Sequence, residues 1–165
     1  MLHTFRALGE QNPDWSQFFI SPESNALRRF LRRHPGLYTI GFDWIWESGY
    51  YQEINPNEMA TLFPSLRHLE AACFLCGPIV SSTLADQLES LTVTDRSYES
   101  SGPNLETVAQ AARTLPKLKK IVLYAEQHDT IEVEPIKNLV RSAPVLEELE
   151  FRLPLDKPVS FLAMP

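Results

Sequence analysis

A chain of 165 residues with 44% hydrophobic content and a formal net charge of −6 fits one domain with enough apolar material for a core. The acidic balance speaks against nucleic acid, which asks for a clustered basic face. The longest stretch free of charged and strongly polar residues, Ala71–Val80, is ten residues long, against the roughly 20 that span a bilayer.

Two cysteines, no Asn-x-Ser/Thr sequon and a start without signal-peptide layout lead us to expect a cytoplasmic or nuclear protein with no membrane contact. Read in order, the chain opens on Leu2-His-Thr-Phe5-Arg-Ala7-Leu8, a short apolar phrase that returns five times. Ser21 before Pro22 marks a helix start, and Leu27, Phe30 and Leu31 give that helix an apolar face. Arg28, Arg29, Arg32 and Arg33 on the same segment read as a solvated basic strip.

The full phrase then appears as Pro35-Gly-Leu37-Tyr-Thr-Ile40-Gly-Phe42. Residues 42–51 hold five aromatics, expected to fold over and shield core. Asn55, Pro56 and Glu58 form a second helix start of capping-box type. Next come Pro64-Ser-Leu66-Arg-His-Leu69-Glu-Ala71 and, without proline, Asp86-Gln-Leu88-Glu-Ser-Leu91-Thr-Val93. Leu105, Val108, Ala112 and Leu115 are spaced for a helix that runs into Pro116-Lys-Leu118-Lys-Lys-Ile121-Val-Leu123. Ile136, Leu139, Val140 and Ala143 do the same before Pro144-Val-Leu146-Glu-Glu-Leu149-Glu-Phe151.

The first leucines of the five phrases lie at 37, 66, 88, 118 and 146. Steps of this size predict a leucine-rich-repeat solenoid. Within each phrase the fourth and sixth positions face one side of a strand, and their neighbours face the other. The expected architecture is α/β, with a curved parallel sheet on the concave side, helices on the convex side and about five to six repeats. Proline ends each helix before the next strand. A single domain over 1–165 is expected, incomplete at one or both ends, since repeat arrays need capping units. Self-association through those ends is expected with it. A doubly wound sheet is disfavoured, because no phosphate-binding glycine loop is present.

The phrases Ala112-Arg-Thr-Leu-Pro-Lys-Leu-Lys-Lys-Ile-Val-Leu123, Val140-Arg-Ser-Ala-Pro-Val-Leu-Glu-Glu-Leu-Glu-Phe151 and Leu62-Phe-Pro-Ser-Leu-Arg-His-Leu69 resemble the leucine-rich-repeat region of fungal F-box proteins. The resemblance implies repeats that select a protein substrate for a ubiquitin ligase, docked through an N-terminal F-box on a Skp adaptor. No F-box-like segment precedes the repeats in this sequence. The asparagine or cysteine that many such repeats place eight residues after the first leucine is replaced by Ile45, Phe74, Arg96, Glu126 and Pro154.

The expected function is therefore a non-catalytic protein–protein interaction module, with a protein partner, no cofactor and no metal. An orphan or truncated array with a scaffold role is the alternative. Recognition is expected on the concave strand positions: His68, Glu70, Thr92, Thr94, Lys120, Val122, Tyr124, Glu148, Glu150 and Arg152, flanked by Thr39, Gly41, Asp43, Ala72 and Ser90. Tyr124, Lys120 and Arg152 form the aromatic and cationic grouping enriched at binding hot spots. A remote alternative is a zinc-dependent hydrolase or deaminase using His68, Glu70, Cys73 and Cys76. Only two residues separate Glu70 from Cys73, and Gly77-Pro78 follows Cys76 where a redox C-x-x-C would open a helix. The acidic stretch from Glu126 to Glu134 lacks calcium-loop spacing, and no G-x-S-x-G nucleophile motif occurs.

Overall fold

The computed structural model describes residues 2–7, 15–20, 23–42, 54–94, 104–124 and 133–152. Among them are the strands β1 (Thr4–Ala7), β2 (Thr39–Phe42), β3 (His68–Ala72), β4 (Ser90–Thr94), β5 (Lys120–Tyr124) and β6 (Glu148–Arg152). They make one parallel sheet whose order in space is their order along the chain. Helices α1 (Trp15–Ile20) and α2 (Ala26–Arg33) join β1 to β2, and α3 (Pro56–Leu62) joins β2 to β3. The helix α4 (Cys73–Ser81), with a 3₁₀ turn at Thr83–Asp86, leads to β4; α5 (Leu105–Ala111) and α6 (Val133–Ser142) precede β5 and β6. This layout is consistent with the expected coil of strand–helix units.

The phrase pattern explains the sheet. Its fourth positions align across neighbouring strands as Ile40, Leu69, Leu91, Ile121 and Leu149, continuing Phe5 of β1. The sixth positions Ala71, Val93, Leu123 and Phe151 form a parallel row. From β2 to β5 these side chains are buried in one cluster with the phrase leucines Leu37, Leu66, Leu88 and Leu118. Leu31, Met59, Leu62, Ile79, Val80, Val108 and Leu139 bring the helices onto the same face of the sheet. Each fully buried leucine contributes on the order of 2 kcal/mol of apolar transfer.

Helices α2, α3 and α6 end two residues before Pro35, Pro64 and Pro144, but α5 ends at Ala111, so Ala112 and Leu115 lie outside the helix expected to run into Pro116. In four phrases the first leucine donates its N–H to the carbonyl of the residue before the proline: Leu37 to His34, Leu66 to Phe63, Leu118 to Leu115 and Leu146 to Ala143. That bond closes a β-turn with proline at its second position, where a fixed φ near −65° is already correct. The proline-free phrase substitutes the Thr83–Asp86 turn, in which Leu84 O accepts from Gln87 N and Leu88 N. The turns also set the strand entry points. The backbone N–H groups of Arg67, Glu89, Lys119 and Glu147 reach the carbonyls of Tyr38, Arg67, Glu89 and Lys119, one residue ahead of the regular ladder.

Several local expectations need correction. Helix α2 begins at Ala26 and not at Ser21, because Asn25 Oδ1 accepts the Arg28 N–H at 3.0 Å and serves as the cap. Asn55 does cap α3, with Pro56 at its first position, but Glu58 does not return to close a capping box. Its carboxylate instead pairs with Arg28. A closed box forms at α5, where Asn104 Oδ1 accepts from Thr107 N at 3.0 Å and Thr107 Oγ1 accepts from Asn104 N. Arg28 is not part of a solvated strip: it is 1% exposed, with Nη1 donating to the Phe18 carbonyl at 3.0 Å and the guanidinium 5.1 Å from the Phe18 ring centroid. Arg29, Arg32 and Arg33 are exposed as expected, and Arg32 forms a two-pronged pair with Glu23.

Helix α4 follows β3 without a connecting loop, so Cys73-Phe-Leu-Cys76 opens a helix after all, and Pro78 lies inside it. Cys73, Phe74, Leu75, Cys76, Ile79 and Val80 are buried around its circumference, since α3 and α5 flank it. The aromatic run 43–51, Asp43, the loop 126–132 and the tail 153–165 lie outside the described residues.

Candidate recognition surface on the open face of the sheet

Side chains opposite the helices fall into rows, because parallel pairing aligns equivalent phrase positions. The first row is Thr4, Thr39, His68, Ser90, Lys120 and Glu148. The second is Arg6, Gly41, Glu70, Thr92, Val122 and Glu150, and the third is Ala72, Thr94, Tyr124 and Arg152. All ten expected recognition residues stand in these rows.

Charge is concentrated at the two sides, and the middle is small and neutral. At the β1 side, Arg6 reaches past Gly41 to Glu70, with Nη2 and Oε2 3.7 Å apart. Gly41 makes that path available, since a Cβ there would stand 2.9 Å from Arg6 Cγ. The centre holds Ser90, Thr92, Thr94 and Ala72. At the β5–β6 side, Lys120 Nζ sits 2.7 Å from Glu148 Oε1 and 3.2 Å from Glu150 Oε2. Glu150 also accepts from Arg152 Nε at 2.7 Å. Arg152 Nη1 donates to the Tyr124 hydroxyl at 2.5 Å, and its guanidinium lies 5.3 Å from the Tyr124 ring centroid. Hydrogen bonds from Arg152 and then Lys120 hold the Glu150 carboxyl below its ordinary range, and bonds to Glu148 and Glu150 raise the Lys120 ammonium. The Arg152 guanidinium is raised as well, by Glu150 first and Tyr124 second. The corner is thus a chain of fixed charges, with each long side chain held by at least one neighbour.

No family model, curated protein or solved structure matches this chain.

Two of the named residues are less available than their row suggests. Val122 is 1% exposed and Thr94 3% exposed, although both belong to the open face. Thr94 Oγ1 is buried without a hydrogen-bond partner among the described residues. The accessible positions are therefore His68, Glu70, Thr92, Lys120, Tyr124, Glu148, Glu150 and Arg152. The zinc alternative is not assembled. His68 and Glu70 face away from the core, Cys73 and Cys76 are buried in it, and no metal-holding group of three His, Cys, Asp or Glu occurs among the described residues. Burial also pushes the Cys76 thiol far up, and its Sγ lies 3.2 Å from the Ala71 carbonyl oxygen. A redox or ligating thiolate needs the reverse shift.

Sequence reasoning missed two features. Arg6 holds the phrase position of Gly41, Glu70, Thr92, Val122 and Glu150, so extending the row by one unit would have found it. A rim row just ahead of the strands was also overlooked, in which Arg67 pairs with Glu89 and Lys119 with Glu147. Beside it lies a cleft of about 460 Å³ among Tyr38, Arg67, His68, Gln87 and Glu89. The signal was the alternation of charge at one phrase position, Arg67, Glu89, Lys119 and Glu147.

Proposed function

We propose that the chain is a non-catalytic recognition module of leucine-rich-repeat type, which holds a partner protein on the open, concave face of its sheet. The observation that carries this reading is the Tyr124–Arg152 pair with its Lys120 and Glu150 neighbours. Tyrosine and arginine dominate interface hot spots because both supply large contact area and directed hydrogen bonds. Here they are held in place before a guest arrives, so less side-chain entropy remains to be lost on binding. The neutral centre at Ser90 and Thr92 would accept backbone or small side chains, and the charged sides would set register. The resemblance to the repeats of fungal F-box proteins supports a guest that is a protein destined for ubiquitination, and an intracellular setting.

The test is quantitative capture from lysate of the source cell by immobilised wild type and by a Tyr124→Ala/Arg152→Ala double variant. A Lys137→Ala control alters an exposed cation on α6 away from the sheet. The reading expects a protein retained by wild type and the control at levels on the order of tenfold above the double variant. Equal retention by all three, with native circular dichroism in each, would remove this corner from the site.

A further inference from the structure

We propose that the chain assembles end to end, with the β6 edge of one copy pairing in parallel with the β1 edge of the next. This is separate from guest binding on the open face. Among the described strands, β1 and β6 are the two edges of the sheet. The core-facing residues of β6 are uncovered where their counterparts are not. Leu149 is 39% and Phe151 43% exposed, whereas Leu69, Leu91 and Ile121, or Ala71, Val93 and Leu123, are buried. Val145, in the turn entering β6, is exposed alongside them. At the opposite edge Leu2 is exposed, and Phe5 and Ala7 are half-buried.

The observed register says what would fit. One further step of the same pairing sets Leu149 against Phe5 and Phe151 against Ala7, so both apolar rows run on without a break. The same step sets Glu150 against Arg6 on the open face, and Glu147 against His3 on the rim. Residues 147–152 carry three glutamates and one arginine, a net −2, while residues 2–7 carry Arg6 and no acid, a net +1. Charged side chains on edge strands normally block pairing. With opposite signs at the two edges the block becomes selective: it opposes β6 against β6 and β1 against β1, and favours β6 against β1. Such a joint is heterologous: it occupies one edge of each copy and leaves the other free, so it propagates into linear oligomers.

The experiment is sedimentation velocity over a wide concentration range for wild type, Glu150→Arg, Arg6→Glu and an equimolar mixture of the two variants. Wild type should sediment faster as concentration rises, with no fixed stoichiometry. Each reversal places like charges at the joint and should weaken association on the order of tenfold or more. The mixture should restore it, because every joint between unlike variants again pairs opposite charges. A concentration-independent monomer, a dimer of fixed size untouched by either reversal, or a mixture that stays dissociated would each overturn the proposal. Should either reversal lose native circular dichroism, Phe151→Lys replaces it; this variant breaks the apolar row at an exposed position and must itself stay monomeric where wild type assembles, and a Phe151→Lys chain that still assembles would overturn the proposal.

Discussion

Removing Glu58 should destabilise the protein more than removing Arg28, although they are two halves of one ion pair. The Arg28 side chain is 2% exposed and that of Glu58 40% exposed. Glu58→Ala leaves a buried guanidinium with the Phe18 carbonyl and ring, and with Nε unpartnered among the described residues. An orphaned charge in a buried pair costs about 3–5 kcal/mol. Access of water through the half-open carboxylate side places this case near the lower end, at about 3 kcal/mol. Loss of an acidic residue from the first turn of α3 adds a few tenths. Arg28→Met removes the charge altogether, keeps most of the packing volume and frees Glu58 to hydrate. It forfeits chiefly the hydrogen bond to Phe18, about 1 kcal/mol. Equilibrium urea unfolding at 25 °C, followed by far-ultraviolet circular dichroism, resolves a gap of this size. If Arg28→Met costs as much as Glu58→Ala, the guanidinium is there for packing, and the reasoning from an uncompensated charge is wrong.

The phrase leucines offer an internal comparison. Leu118 is fully buried and Leu146 only half-buried, so Leu118→Ala should cost about 3 kcal/mol and Leu146→Ala about 1 kcal/mol by the same denaturation assay. The Glu150 carboxyl, lowered by Arg152 and Lys120, should titrate below its ordinary value of 4.5 in side-chain carboxyl NMR, and Arg152→Met should move it back up. Because that value is depressed on folding, any stabilisation from the group is present above the unfolded pKa and lost as pH falls through the folded one. The buried Cys76 thiol should resist a thiol reagent such as Ellman's in the native protein, reacting at a rate that tracks unfolding. Rapid native labelling of Cys76 would place it nearer the surface than its burial implies.

The sheet was legible because its signal is local and repeated. The phrase carries its own periodicity, and each copy, the divergent first one through Thr4–Ala7, contributes a strand to the parallel sheet. What escaped depended on distant partners. Arg28 reads like its neighbours Arg29, Arg32 and Arg33, and only the placement of Glu58 thirty positions away makes it a buried cation. The start of α2 was misplaced because Ser21-Pro22 and Asn25 are both sound helix openings, and only hydrogen bonding chooses between them. Helix α4 forms despite its Gly77-Pro78 pair, whose interior positions cost about 4 kcal/mol together, since burial between α3 and α5 outweighs that local penalty. On the open face, alternation correctly sorted the side chains but could not reveal that Val122 and Thr94 are shielded.

That spatial order copies chain order has a mechanical consequence. Among the described strands none is threaded between two distant ones, so a pull on either terminus would peel the sheet one layer at a time rather than tear it open. Strand starts at 4, 39, 68, 90, 120 and 148 make the layers unequal in length, so a force trace should show a sawtooth of unevenly spaced rips rather than a single jump.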